Sequence, residues 1–242
     1  MSMRSFVVLV CLAAGAACTR DPESARRNYL QRAETLVQAG KYADAIITFQ
    51  NALQIRPGDA ATHRRLGEVF LKADRPAQAL ESFITSADLQ PENRIVQREV
   101  AWMLLRAGDF PRAQERAETL LRVDASDGEA LLVRAYAVSR IRGADAGIAA
   151  VGDLLALDPD NTRARSLEGW LQLERGHLAD ARTAIERAAA LAPASPEVQA
   201  ARGVVAWADG RRPDAEAAFR AALAADPRAE VPNRAMATLL IA

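Results

Sequence analysis

Apolar and small side chains recur at helical spacing along most of the chain. The stretches Ala45-x-x-x-Phe49-x-x-Ala52 and Ala215-x-x-x-Phe219 place small and aromatic residues three or four positions apart. Side chains at that spacing share one face of an α-helix, so each stretch predicts a helix with one buried face. Ala and Arg are abundant and favour helix over sheet. The pattern therefore predicts an all-α protein.

Proline marks the ends of these helices at a fixed interval. Because proline lacks the backbone N–H and clashes with the preceding turn, it cannot continue a helix. The prolines that share a grid of 34 residues, broken only at Ala125, are Pro57, Pro91, Pro159, Pro193 and Pro227. A helix end that returns at this interval indicates an internal repeat.

Small residues follow the same grid. We number each unit so that these prolines fall at slot 32. Slot 8 then holds Ala33, Gly67, Ala101, Ala135, Gly169, Gly203 and Ala237. Slot 20 holds Ala45, Ala79, Ala113, Gly147, Ala181 and Ala215. Slot 15 holds Gly40, Gly108, Gly176 and Gly210 in the turn between them. Small residues at slots 8 and 20 predict two helices in close contact, and glycine at slot 15 is typical of a left-handed helix end.

These slots resemble the tetratricopeptide repeat (TPR), which has small residues at slots 8, 20 and 27, an aromatic at 24 and Pro at 32. The resemblance implies an all-α TPR solenoid of six helix-turn-helix repeats plus a partial seventh, wound as a right-handed superhelix. The predicted units are 26–59, 60–93, 94–127, 128–161, 162–195, 196–229 and the partial unit 230–242.

Charge and motifs argue against several functional classes. The 31 basic and 31 acidic residues cancel, whereas a nucleic-acid partner calls for a basic face. The two histidines, His63 and His177, have no second ligand at metal-binding spacing. Phosphate-binding loops and nucleophile motifs are also missing. We expect no catalytic site, no metal, no cofactor and no nucleic-acid partner.

The resemblance also implies a place for a ligand. In TPR arrays the first helices line a concave face, and slots 2, 5, 9 and 12 point into it. The partner-binding residues predicted on these slots are Trp102, Tyr136, Trp170, Trp207, Arg64, Arg98, Glu68, Leu105 and Leu173. The Lys/Asn carboxylate clamp that some TPR proteins carry at slots 5 and 9 of the first unit is replaced here by Leu30 and Glu34.

Three of the predicted residues form one series. Trp102, Tyr136 and Trp170 lie 34 residues apart, which predicts a ladder of aromatic side chains that anchors a protein or peptide. The alternative is that these side chains lean on the adjacent helix and only fill packing gaps.

The N-terminus has the pattern of an export signal. A basic start and the apolar run Phe6–Ala17 predict a signal peptide over residues 1–17. The sequence Gly15-Ala16-Ala17-Cys18 resembles a bacterial lipobox, although Gly15 departs from the aliphatic residue usual there. The resemblance implies a lipidated Cys18 followed by a tether over residues 18–25. The alternative is a simple signal peptide cleaved near Ala17.

Together these features resemble bacterial TPR lipoproteins of the pilus-assembly or exosortase-associated type. That resemblance implies a non-catalytic scaffold, lipid-anchored and facing the periplasm, with the outer membrane favoured because Thr19 replaces the Asp associated with inner-membrane retention. Two alternatives remain. The chain is the accessory region of a larger protein with a catalytic domain, or it is a structural protein that self-associates through the apolar end Leu239–Ala242.

Overall fold

The computed structural model describes residues 21–227, and this part of the chain folds into twelve α-helices. They form six pairs of consecutive helices: α1 (Pro22–Gln38) and α2 (Tyr42–Ile55), α3 (Ala60–Lys72) and α4 (Pro76–Asp88), α5 (Arg94–Arg106) and α6 (Phe110–Val123), α7 (Gly128–Arg142) and α8 (Ala144–Leu157), α9 (Thr162–Glu174) and α10 (Leu178–Leu191), α11 (Pro196–Ala208) and α12 (Arg212–Ala225). The prediction of an all-α repeat of helix pairs is confirmed. Helix α1 begins at Pro22, so residues 22–25 of the predicted tether are helical. The predicted partial unit 230–242 lies outside the described residues.

The chain divides into two compact units. The division falls between Val96 and Gln97, in the first turn of α5. The first unit contains α1–α4, and the second contains the rest of α5 and α6–α12.

Small residues at the repeated slots allow the two helices of a pair to touch. The slot 8 and slot 20 side chains Ala33, Ala45, Ala101 and Ala113 are fully buried. A Cβ atom added at Gly67 would lie 3.0 Å from the ring of Phe83, and one added at Gly169 would lie 2.5 Å from Cδ1 of Ile185. Each glycine therefore makes room for the large residue that follows sixteen positions later on the second helix.

The first helices of the pairs share a cap that the sequence analysis did not identify. The N-cap residues at slot 34 are Asp59, Asn93, Asp127, Asn161 and Ser195, and in each the side-chain oxygen accepts a hydrogen bond from the backbone N–H three residues later. A polar N-cap satisfies one of the free N–H groups at a helix start, which is worth about 1 kcal/mol. The caps explain why each of these helices begins directly after its slot 34 residue.

The turns inside the pairs use the left-handed backbone conformation. Gly40 and Gly108 adopt φ values of 71° and 79° at slot 15. Asp74 occupies the same slot with φ of 56°, so the turn of the second pair keeps the conformation without glycine. Aspartate is one of the few other residues that adopts this conformation at modest cost.

The outer face of α1 is polar. Its exposed side chains include Asn28, Gln31, Arg32 and Thr35. One repeat later, the counterparts of Asn28 and Thr35 are Thr62 and Val69, which are buried. Within residues 21–227 no helix pair precedes α1, and a polar outer face suits that position in a repeat array.

Candidate partner-binding face

The candidate site, here called the first-helix face, lies in the second unit and is formed by slots 5, 9 and 12 of α5 and by slots 2, 5, 9 and 12 of α7, α9 and α11. Six of the predicted partner-binding residues lie on it and are half-buried: Trp102 and Leu105 on α5, Tyr136 on α7, Trp170 and Leu173 on α9, and Trp207 on α11. Five of them, all except Leu105, pack against buried apolar clusters. Their half-burial means that the core supports these side chains while part of each remains accessible to solvent.

Trp102 is the centre of a cluster drawn from three helices. Its indole Nε1–H donates a hydrogen bond of 2.8 Å to Oε2 of Glu129 on α7. The Arg163 guanidinium of α9 lies over the indole, with Cζ 4.3 Å from the ring centroid. Arg163 Nη1 also donates to both carboxylate oxygens of Glu129, at 2.9 and 3.1 Å. A cation held between an aromatic face and a carboxylate joins cation–π attraction to a charge-assisted hydrogen bond.

Tyr136 stands beside this cluster. Its ring centroid lies 6.0 Å from that of Trp102 at an interplanar angle of 68°, which is an edge-to-face contact. Burial raises the pKa of the Tyr136 hydroxyl above its usual value; the positive charge of Arg163 opposes this effect, and the negative charge of Glu197 adds to it. The structure therefore places two of the three residues of the predicted ladder in ring contact.

Trp170 and Trp207 belong to separate clusters. Trp170 packs with Leu173 against a core formed by α10 and α11, and Trp207 packs against a core that includes Phe219. Among residues 21–227, no ring contact joins Trp170 to Tyr136. The prediction of one continuous aromatic ladder remains a prediction for its third member.

Arg98 has a structural partner. Its Nε and Nη2 donate hydrogen bonds of 2.9 and 2.7 Å to Oδ2 of Asp127, whose side chain is only 1% exposed. The other carboxylate oxygen of Asp127 caps α7. The guanidinium predicted to face a ligand is therefore engaged with a buried carboxylate of its own chain.

The two remaining predicted residues, Arg64 and Glu68, lie in the first unit. Arg64 Nε is 3.8 Å from Glu68 Oε1. Arg65, which the sequence analysis did not single out, donates to Glu34 at 2.7 and 2.8 Å and to Glu68 at 2.6 Å. Glu34 and Glu68 occupy slot 9, so this slot is charged in the first unit and aromatic in most of the second.

Two residues central to the face, Glu129 and Arg163, were also missed. Both occupy slot 2, where the second unit carries Glu129, Arg163 and Glu197 at intervals of 34 residues. This alternation of charge at slot 2 was the sequence pattern that could have identified them. A separate cavity of about 420 Å³ among α10, α11 and α12, lined by Arg182, Arg202 and Arg211, was not foreseen either.

Within residues 21–227, no group of three His, Cys, Asp or Glu side chains is arranged to hold a metal ion. His63 Nε2 lies 2.9 Å from the carbonyl oxygen of Pro57, and His177 lies near Asp180. In the same part of the chain, none of the helices combines the length and apolarity needed to cross a membrane.

Known structures contain the same architecture. A thermophilic TPR protein of Thermus thermophilus aligns with a TM-score of 0.63 at 21% identity, covering 76% of this chain and all of that one. PilW, a widely conserved type IV pilus biogenesis factor, aligns with a TM-score of 0.57 at 17% identity, covering 87% of this chain and 98% of its own. PilF of Pseudomonas aeruginosa aligns with a TM-score of 0.53 at 16% identity, covering 90% of this chain and all of that one. At these identities the likeness shows the fold alone.

Sequence comparison gives the family. No protein of curated function matches the chain significantly. One tetratricopeptide-repeat model matches residues 36–98, and a second matches 99–161, 139–196 and 166–230, so that the second model alone covers more than half of the chain. The 34-residue helix pairs, their small contact residues and these matches show that the chain belongs to the tetratricopeptide-repeat family.

Proposed function

We propose that the protein is a non-catalytic scaffold that binds a protein or peptide on the first-helix face of its second unit. The observation that carries the proposal is the group of half-buried aromatic side chains, Trp102, Tyr136, Trp170 and Trp207, on one set of repeat slots. They include all three tryptophans of a chain in which aromatic residues make up 5%.

Tryptophan and tyrosine bury a large surface and have few rotatable bonds, so they lose little entropy when a partner covers them. On this face the underlying core already holds the rings, which reduces that cost further. Leu105 and Leu173 add apolar surface beside them.

Site-specific photo-crosslinking tests this proposal in the full-length protein. A photoreactive amino acid at Leu173 is expected to capture a partner in the native envelope. The matched control is Thr183, an exposed residue on α10, the second helix of the same pair. A partner captured equally from both positions, or from Thr183 alone, would contradict binding on the first-helix face.

We further propose that the protein acts at the bacterial envelope, anchored through Cys18 and facing the periplasm, in assembly, export or pilus biogenesis. The support is the lipobox-like sequence before Cys18, which lies outside the described residues, together with the fold shared with PilW and PilF. Acyl chains contribute about 0.8 kcal/mol per buried CH₂, so a multiply acylated cysteine would anchor the protein firmly.

Mass spectrometry of the mature N-terminus and cell fractionation test the anchor. We expect a diacylated or triacylated Cys18, and we expect Cys18→Ala to block processing or to move the protein to the soluble fraction. A mature protein with an unmodified N-terminus would show that the lipoprotein assignment is wrong.

A further inference from the structure

Each slot 9 tryptophan of the second unit is followed at the same spacing by a glutamate on the first helix of the next pair. Trp102 is followed 27 residues later by Glu129, on the first helix of the next pair, and the two side chains are hydrogen-bonded. Trp170 is followed 27 residues later by Glu197. The helices that carry this second pair, α9 and α11, are in contact.

The pair of Trp102 and Glu129 already binds a cation. Arg163 lies over the Trp102 ring and is hydrogen-bonded to both oxygens of Glu129, its counterpart one repeat earlier on slot 2. The indole face and the carboxylate come from α5 and α7, whereas the guanidinium comes from α9. The geometry therefore shows what these two groups bind when they meet on this surface.

The pair of Trp170 and Glu197 has no such cation among the described residues. Glu197 is exposed, and its Oε2 accepts a hydrogen bond of 2.7 Å from the Ser195 hydroxyl. Within residues 21–227, Glu197 has no ion-pair partner and the Trp170 indole N–H has no hydrogen-bond acceptor. The residue one repeat after Glu197 is Val231, which is uncharged and lies outside the described range.

We propose that Trp170 and Glu197 form a site for a cationic side chain of the partner, arginine in preference to lysine. The partner's guanidinium would take the place over Trp170 that Arg163 takes over Trp102. Arginine is preferred because its planar guanidinium both stacks on an indole and pairs with a carboxylate through two N–H groups. The proposal rests on the partner-binding face described above and specifies one feature of the partner, an arginine-bearing segment.

Nuclear magnetic resonance tests this site without knowledge of the partner. The full-length chain has three tryptophans and therefore three indole N–H signals, which Trp→Phe variants assign. The probe is N-acetyl-arginine amide, and its neutral control is N-acetyl-citrulline amide. We expect the arginine probe to shift the Trp170 signal saturably, with little effect of the citrulline probe. Glu197→Gln should weaken binding by about two- to fivefold, as expected for an exposed cation–π and carboxylate pair.

The pair of Trp102 and Glu129 supplies an internal control. In the wild-type protein Arg163 covers Trp102, so the Trp102 signal should respond little to the probe. In Arg163→Ala the indole and Glu129 lose their cation, and the Trp102 signal should then respond to the arginine probe. The proposal would be overturned if the Trp170 signal shifted equally with the citrulline probe, or if Glu197→Gln left its response to arginine unchanged. It would also be overturned if, in Arg163→Ala, the arginine probe shifted the Trp102 signal but not the Trp170 signal.

The two proposals fail separately. Crosslinking at Leu173 reports whether a partner covers the face, whatever its charge. A captured partner whose crosslinked segment carries no basic residue would overturn the cation site and leave the partner-binding face intact. If no partner is crosslinked at Leu173 but the Trp170 signal still responds to the arginine probe, the partner-binding face would be wrong and the cation site would remain a property of the surface.

Discussion

Slot 9 has different chemistry in the two compact units. In the first unit it carries Glu34 and Glu68, and Arg65 bridges both carboxylates. In the second unit it carries Trp102, Tyr136 and Trp170, which pack against buried apolar clusters. The backbone repeat is the same in both. The comparison shows that the small residues at slots 8 and 20 determine how helices pack, whereas slot 9 is free to vary and can carry a function.

The largest expected effect concerns the arginines that bind the two slot 34 aspartates, Asp59 and Asp127. Arg98 donates two hydrogen bonds to Asp127 in the second unit, and Arg26 donates one to Asp59 in the first. The Asp127 side chain is 1% exposed and the Asp59 side chain 17%. Because hydrogen bonds to a buried charge are the more valuable, we expect Arg98→Ala to lower the free energy of unfolding by about 2–3 kcal/mol.

Arg26→Ala should lower the free energy of unfolding by less than Arg98→Ala does. Arg106→Ala, which changes an exposed residue on α5, should lower it by under about 0.5 kcal/mol. Denaturant unfolding of the three variants gives the comparison. An effect of Arg98→Ala as small as that of Arg106→Ala would mean that Arg98 is available to a ligand, as the sequence analysis predicted.

The next largest effect concerns slot 9, where Trp102 of the second unit is compared with Glu68 of the first. Trp102→Ala removes a half-buried ring from the core cluster and releases Glu129 and Arg163. We expect a loss of about 2 kcal/mol in unfolding free energy, below the roughly 3–5 kcal/mol usual for a fully buried tryptophan. Glu68→Ala in the first unit should lower the free energy of unfolding by under about 1 kcal/mol, because it breaks only the partly exposed ion pairs with Arg64 and Arg65.

Hydrogen exchange measured separately on α3 and α5 assigns each loss to its unit. Trp102→Phe is the control that retains a ring. A loss of about 4 kcal/mol or more for Trp102→Ala, on the scale of a fully buried ring, together with unchanged partner crosslinking at Leu173, would indicate that Trp102 only fills a packing gap.

The smallest effect is a difference in pH dependence. A hydrogen bond from Arg65 lowers the pKa of Glu34 below its usual value of 4.5. The stabilisation it gives is therefore present above pH 4.5 and disappears as the pH falls through the folded-state pKa. Burial raises the pKa of Tyr136 above 10.0. The contribution of the buried neutral hydroxyl to stability is therefore fully present below pH 10.0 and is lost as the pH rises through the folded-state pKa.

We therefore expect Arg65→Gln to reduce the acid dependence of unfolding and Tyr136→Phe to reduce the alkaline dependence. Unfolding free energies measured across both pH ranges test the pair of variants. If each variant changed the pH dependence of unfolding equally in the acid and alkaline ranges, the inferred electrostatic difference between the two units would be wrong.

Residue spacing was sufficient to predict the helix pairs, because the demand for small side chains at slots 8 and 20 is local and recurs. It also pointed to the slots that hold Trp102, Tyr136 and Trp170. It could not show that Arg98 binds Asp127, since that depends on the direction a long side chain takes between two helices. The same reason explains why Arg163 was missed. Asp74 was missed because glycine was expected at slot 15, although aspartate can adopt the same backbone conformation.

The polar outer face of α1 has a consequence for assembly. Copies of a protein that add head to tail grow into a filament only when two complementary ends are adhesive. Asn28, Gln31, Arg32 and Thr35 leave the α1 end with a hydrated surface. A second copy that docked on this face would have to displace water from these polar groups without gaining apolar contacts, so the outer face of α1 does not favour head-to-tail addition.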